Sequence, residues 1–372
     1  MKKTIALSIG LVAVAILIRV QFTARNGAEF SAAAQPEVVA SVESNDPPAP
    51  LLPARAVSRV PLSPVEVRQP EKMVFQRIAD NDTNVLKLSS GQIQAFLARN
   101  KTNADSLLTA FNATHDQEFL REAARRYPSN ALVLASVLGY DVFPGQRREL
   151  IEQFKQVSPE NPLANYLSAR EYTKNQQPEL ALREFIEASG KNGFHDFSVE
   201  RLQGMEELYL ASGYSAAEAK ALAMANLEFP ALGKLRDVGR DMAAVERQYA
   251  AAGDTASAQA LAKLGLGLAG NTLNAGVNSL LSQMVGNGVE RDFLNGLDPN
   301  GTYDFLGQPV GERLTQLQAQ ENAIRSEAKF FDLWLTTANE AQLVSYFDRL
   351  KLYGESAALT WARNQISETS QP

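Results

Sequence analysis

The chain has 372 residues, a net charge of −6 and 45% apolar residues, enough for two average domains or one long solenoid with a sizeable core. It has no cysteine, which excludes disulfides, thiol catalysis, thiolate metal sites and lipid attachment through sulfur. Acids and bases are interspersed without a basic tract or an aromatic–basic stripe, so a nucleic-acid partner is unsupported.

Lys2 and Lys3 precede an uncharged run from Thr4 to Ile18, and Arg19 ends it. Fifteen helical residues cover roughly 22 Å at ~1.5 Å each, short of the ~30 Å hydrocarbon core. Counting on to Phe22, with Arg19 reaching the interface, brings the span near the requirement. The nearest small-residue cleavage site, Ala32-Ala33-Ala34, lies more than a dozen residues on. Residues 1–22 therefore read as an uncleaved signal-anchor. A cleaved signal peptide, leaving a secreted or periplasmic body, is the second reading, and a buried helix the third. In the first two the positive N-terminus stays inside and the body is exported.

Residues 23–72 hold Pro36, Pro47, Pro48, Pro50, Pro53, Pro61, Pro64 and Pro70, with no helical or strand period. This is the composition of a disordered, extended linker, about 40 Å end to end on average and longer where proline stiffens it.

From Met73 apolar residues recur every three or four positions. Gln92–Asn100, Ala104–Phe111, Asp116–Tyr127, Leu132–Tyr140 and Arg147–Val157 each read as a helix. No segment sustains strand alternation, so the body is predicted all-α.

Between Pro159 and Gly265 the pattern sharpens. Ala169 and Tyr172 close one helix, Asn175-Gln176-Gln177-Pro178 breaks it, and Ala181, Phe185 and Ala188 follow on the next. Tyr209, Gly213, Ala225 and Pro230 fall in a comparable order, with Pro230 ending a second helix, and Tyr249, Gly253, Ala258, Ala262 and Gly265 do so again. Upstream, Ala123 with Pro128 and Phe154 with Pro159 mark two more helix ends. Over about 116–270 this resembles the tetratricopeptide repeat, a helix pair with small residues at the crossing and an aromatic ring beside it. The usual first-helix Trp is absent, Glu218 stands where a small residue is expected, and the 40 residues from Tyr209 to Tyr249 imply an insertion. The resemblance implies a right-handed α-solenoid over 73–270. It also implies a concave groove lined by the first helix of each pair, which would include Tyr166, Arg170, Lys174, Arg240 and Arg247 and suit an acidic or C-terminal peptide.

In 271–372, Leu280–Val285, Val289–Leu294, Leu314–Ile324, Phe330–Thr336, Ala341–Leu352 and Glu355–Ile366 read as helices of a C-terminal cap, closed by Ala358, Trp361 and Ala362. Leu297–Thr302 reads as a turn.

Several motifs imitate chemistry. Gly265-Leu266-Gly267-Leu268-Ala269-Gly270 fits a dinucleotide loop, but no strand precedes it, so close helix packing is expected. His115-Asp116 and His195-Asp196 are too few for a metal phosphohydrolase and read as exposed His before a capping Asp. Asp298, Asn300, Thr302 and Asp304 alternate like a calcium loop, but Tyr303 and Pro309 stand where Gly and Glu are needed. Asn81, Asn100, Asn112 and Asn300 begin glycosylation sequons that matter only in a glycosylating host. No catalytic residue, metal ligand or cofactor is assigned. The expected function is a membrane-tethered scaffold outside the cytoplasm with a protein or peptide partner. A self-associating envelope assembly factor is the alternative, and an enzyme with an unfamiliar carboxylate site the remote one.

Overall fold

The computed structural model describes residues 87–369. The anchor at 1–22, the linker at 23–72, the start of the body and Asn81 lie outside the described residues. Among the described residues every regular element is helical, apart from one isolated bridge between Thr302 and Pro309. No described helix is long and apolar enough to cross a membrane.

In order along the sequence the helices are α1 Ser90–Arg99, α2 Ala104–Thr114, α3 Gln117–Arg126, α4 Ala131–Gly139, α5 Arg147–Val157, α6 Leu163–Lys174 and α7 Pro178–Ser189. Then come α8 Ser198–Ala211, α9 Ala216–Ala225, α10 Pro230–Ala251 and α11 Thr255–Leu273. The last four are α12 Leu280–Leu294, α13 Val310–Leu335, α14 Glu340–Tyr353 and α15 Glu355–Thr369.

Local chemistry sets the starts. Ser89 with Gln92 and Asn339 with Gln342 form capping boxes on α1 and α14. Asp116 accepts from the Glu118 amide at 3.0 Å and caps α3. Asp196 is buried and accepts from the Ser198 amide at the start of α8. Glu218, the residue out of pattern for the repeat, completes a capping box with Ser215 on α9. Pro230 does not end a helix; it opens α10, where its missing N–H costs nothing.

The helices pair α2 with α3, α4 with α5 and α6 with α7, each pair touching the next. Small residues sit where helices cross: Ala169, Ala181 and Ala188 are fully buried, with Phe185 beside them. The polypeptide then doubles back along this row. Helix α8 packs on α1 and α2, α10 on α4 and α6, and α11 on α7. The first helix of each pair is thus covered on both sides, and its sequence carries the cost. Helix α4 buries Val133 through Leu138 without interruption, and α6 buries Leu163 through Ala169. Helix α3, in contrast, buries only Leu120 and Ala123. A helix that is apolar all round is one with no wet face.

The C-terminal helices continue the same body. Gly270 lies inside α11, and one main core runs from Ile93 to Ala362. The expected pairs Leu280–Val285 with Val289–Leu294, and Leu314–Ile324 with Phe330–Thr336, are single helices, α12 and α13. Gly286 sits within α12 against Leu273 of α11. At the cap Ala358 and Ala362 are fully buried, and Trp361 meets Trp334 edge-on at 6.3 Å.

The glycine motif lies within α11 rather than in a loop. Gly265 faces the Phe293 ring of α12 so closely that a Cβ would run into it, while Gly267 meets nothing within 4 Å. Gly265→Val should therefore destabilise by about 1–3 kcal/mol through overpacking. Gly267→Ala should stabilise by up to about 1 kcal/mol through helix propensity. Urea unfolding of the two variants checks this opposite pair of signs.

Candidate functional site

The residues expected to line a groove divide between the interior and the surface. Tyr166 is 1% exposed. Its hydroxyl accepts from Asn271 Nδ2 of α11 at 3.0 Å, and its ring meets Phe185 edge-on at 5.8 Å. Burial pushes its phenol up to about 12. Tyr166 is therefore a packing residue, because α10 and α11 occupy the side of α6 that an open solenoid would leave to a ligand. Arg247 is exposed but turns toward α12, donating to the Asp292 carbonyl at 3.3 Å. It stands apart from the other four.

Arg170, Lys174 and Arg240 do converge. They belong to a ladder of charges across the turn after α4, the start of α5, α6 and α10. Lys234 Nζ lies 2.5 Å from Asp141 Oδ2, and Asp141 Oδ1 accepts from Arg147. Arg147 Nε donates to Glu171 Oε1 at 2.7 Å. The same oxygen lies 3.5 Å from Lys174 Nζ and 4.0 Å from Arg170 Nη1. Arg170 Nη2 reaches Asp237 Oδ2 of α10 at 2.9 Å, and Arg240 Nη2 donates to Asp237 Oδ1 at 3.0 Å. Asp241 Oδ1 stands 3.9 Å from Arg240 Nε.

The sequence accounts for part of this. Arg170 and Lys174 are one turn apart on α6, and Asp237, Arg240 and Asp241 share one face of α10. Local spacing gives no sign of Asp141, Arg147 or Lys234. The Asp141–Lys234 pair spans 93 residues, and only the docking of α10 on α4 brings it together. The environment marks the ladder electrically. Burial acts first on both Lys234 and Asp141. It holds the Lys234 ammonium below its ordinary value, helped by Arg147 and Arg170. For Asp141 burial is outweighed by Lys234 and Arg147, and the carboxyl falls below its usual range. Lys174 and Arg240 are the solvent-facing ends, 48% and 62% exposed.

Carboxyls outside the ladder behave differently. Burial pushes Glu246 and Glu355 up to about 7 and Asp332 up to about 6. Arg247 opposes the rise at Glu246, and the Leu280 amide opposes it at Glu355. Neither oxygen of Glu246 has a hydrogen-bond partner, and its carboxyl lies over Gly296. Burial alone raises all three. Among the described residues no group of three His, Cys, Asp or Glu is placed to hold a metal. His115 and His195 are exposed, each beside one glutamate, Glu228 at 3.8 Å and Glu200 at 3.2 Å. Asp298 Oδ1 accepts from the Asn300 amide, as a plain turn does. Asn112 is buried in α2, where no glycan fits, whereas Asn300 is exposed.

These shifts give stability a sign against pH. A carboxyl whose folded pKa is raised binds its proton more tightly folded than unfolded, so it subtracts stability as pH climbs from about 4 through 7. His195 is raised, first by its bond to Glu200, and its contribution is full below its unfolded value and lost above its folded one. Asp141 and Glu200 are lowered, and their contributions vanish only in stronger acid. The melting temperature should therefore rise as pH falls from 8 to 5.5. Glu246→Gln should flatten that rise, and thermal melts followed by circular dichroism at both pH values measure it.

Compared with known proteins, the sequence matches no protein-family profile, no curated sequence and no solved structure.

Proposed function

We propose that the protein is a helical-repeat scaffold, tethered at a membrane by residues 1–22 with its body outside the cytoplasm, that binds a protein partner. The supporting fold reading is a right-handed tetratricopeptide-like solenoid whose concave side is filled by its own later helices. Neighbour-to-neighbour packing of α2 to α7, with alanines at the crossings, supports the stack. A filled groove moves binding to the edge. The observation that carries the reading is the α6–α10 rim, where Lys174 and Arg240 remain exposed above a buried ladder that fixes their bases. A fixed base with exposed charged ends suits capture of an acidic segment. No cofactor and no nucleic acid enter this reading.

Self-association is the second reading. It is favoured by Leu352 and Tyr353 at the end of α14, 69% and 71% exposed, and by Leu333 at the end of α13.

A photocrosslinking residue placed at Lys174 or at Arg240 in intact cells should yield one and the same partner adduct. The same residue at exposed Lys329 of α13 should yield none. Adducts from Lys329 alone would overturn the rim. Adducts containing only a second copy of the protein, with light scattering showing a concentration-dependent dimer, would replace the first reading by the second.

A further inference from the structure

The ladder is under-neutralised at one place. Five cations, Arg147, Arg170, Lys174, Lys234 and Arg240, face four carboxylates, Asp141, Glu171, Asp237 and Asp241. The shortage falls on Glu171, whose Oε1 alone serves Arg147, Lys174 and Arg170. Donors are left over at the same point. Arg147 is 7% exposed and its Nη2 has no hydrogen-bond acceptor; Arg170 Nε and Nη1 have none either. Buried guanidinium N–H groups without acceptors cost free energy that an arriving oxygen would recover.

We propose that the α6–α10 rim seats the terminal carboxylate of a partner peptide against Arg170 with Lys174 and Arg240 closing over it. This deepens the scaffold reading and rests on it. The charge count selects the ligand class. One surplus cation is balanced by a monoanion, whereas a dianionic phosphate would add repulsion against four carboxylates already in place. Lys174 and Arg170 share Glu171 Oε1, at 3.5 Å and 4.0 Å, so the exposed lysine stands beside the buried guanidinium. Arg170 meets Asp237 through Nη2 alone, so its Nε and Nη1 are the donors left for the arriving carboxylate.

Saturation-transfer NMR on the full-length protein tests this with an N-acetylated trialanine carrying a free C-terminal carboxylate, beside its C-terminal amide. The carboxylate peptide should give a signal several-fold above the amide. Lys174→Gln and Arg240→Gln should each lower it at least threefold, and Lys329→Gln should leave it unchanged. Both rim residues are exposed, so the variants keep the fold, which circular dichroism verifies. Equal signals from carboxylate and amide, or full signal in both rim variants, would overturn the proposal. So would inorganic phosphate displacing the peptide more strongly than acetate at equal ionic strength, since the seat would then be built for a dianion. Partner adducts at Lys174 and Arg240 together with a failed peptide titration would sink the carboxylate seat and leave the scaffold standing.

Discussion

Burial of the first helix of each pair on both of its sides is the constraint from which the rest of the structure follows. Helices α8, α10 and α11 lie as a second layer against α1, α2, α4, α6 and α7. Helix α4 is then apolar nearly all round, whereas α6 buries Asn165 and Ser168 among its apolar residues, and polar groups caught between the layers must find partners. Tyr166 with Asn271 and Arg170 with Asp237 are two such solutions.

The same doubling-back explains where charge gathers. Ion pairs made within one helix, such as Arg121 with Glu118, are exposed and contribute little. Arg147, Glu171, Arg170 and Asp237 are largely buried where they join α5, α6 and α10, and half-exposed Asp141 ties in the turn after α4. There the desolvation cost is met only by multiple partners, which holds α4, α5, α6 and α10 in one register. Where a carboxyl has no partner, as at Glu246, its proton affinity rises.

Much of this is legible in the order of residues. The α6–α7 break at Asn175–Pro178, the exposed histidines, the cap at Asp116, the buried Ala358 and Ala362 and the helical setting of Gly265 all follow from local periodicity and capping chemistry. Even the second layer leaves a trace: the run Leu132-Val133-Leu134-Ala135-Ser136-Val137-Leu138 has no polar face, the mark of a helix covered twice. The site is legible only by halves. Arg170 and Lys174, like Asp237 and Arg240, are neighbours on one helix and can be paired from spacing. Glu171 cannot be singled out, because nothing local distinguishes it from other helix carboxylates.

By itself, then, the sequence determined the helical class, most helix ends and the residues that must avoid water, because propensity, capping and hydrophobic period act over fewer than a dozen positions. Tertiary structure alone decided that the row folds back on itself, that Tyr166 is core rather than surface, and that Asp141 meets Lys234. Those outcomes depend on which distant apolar faces find each other, and packing selects among them only when all the helices are assembled.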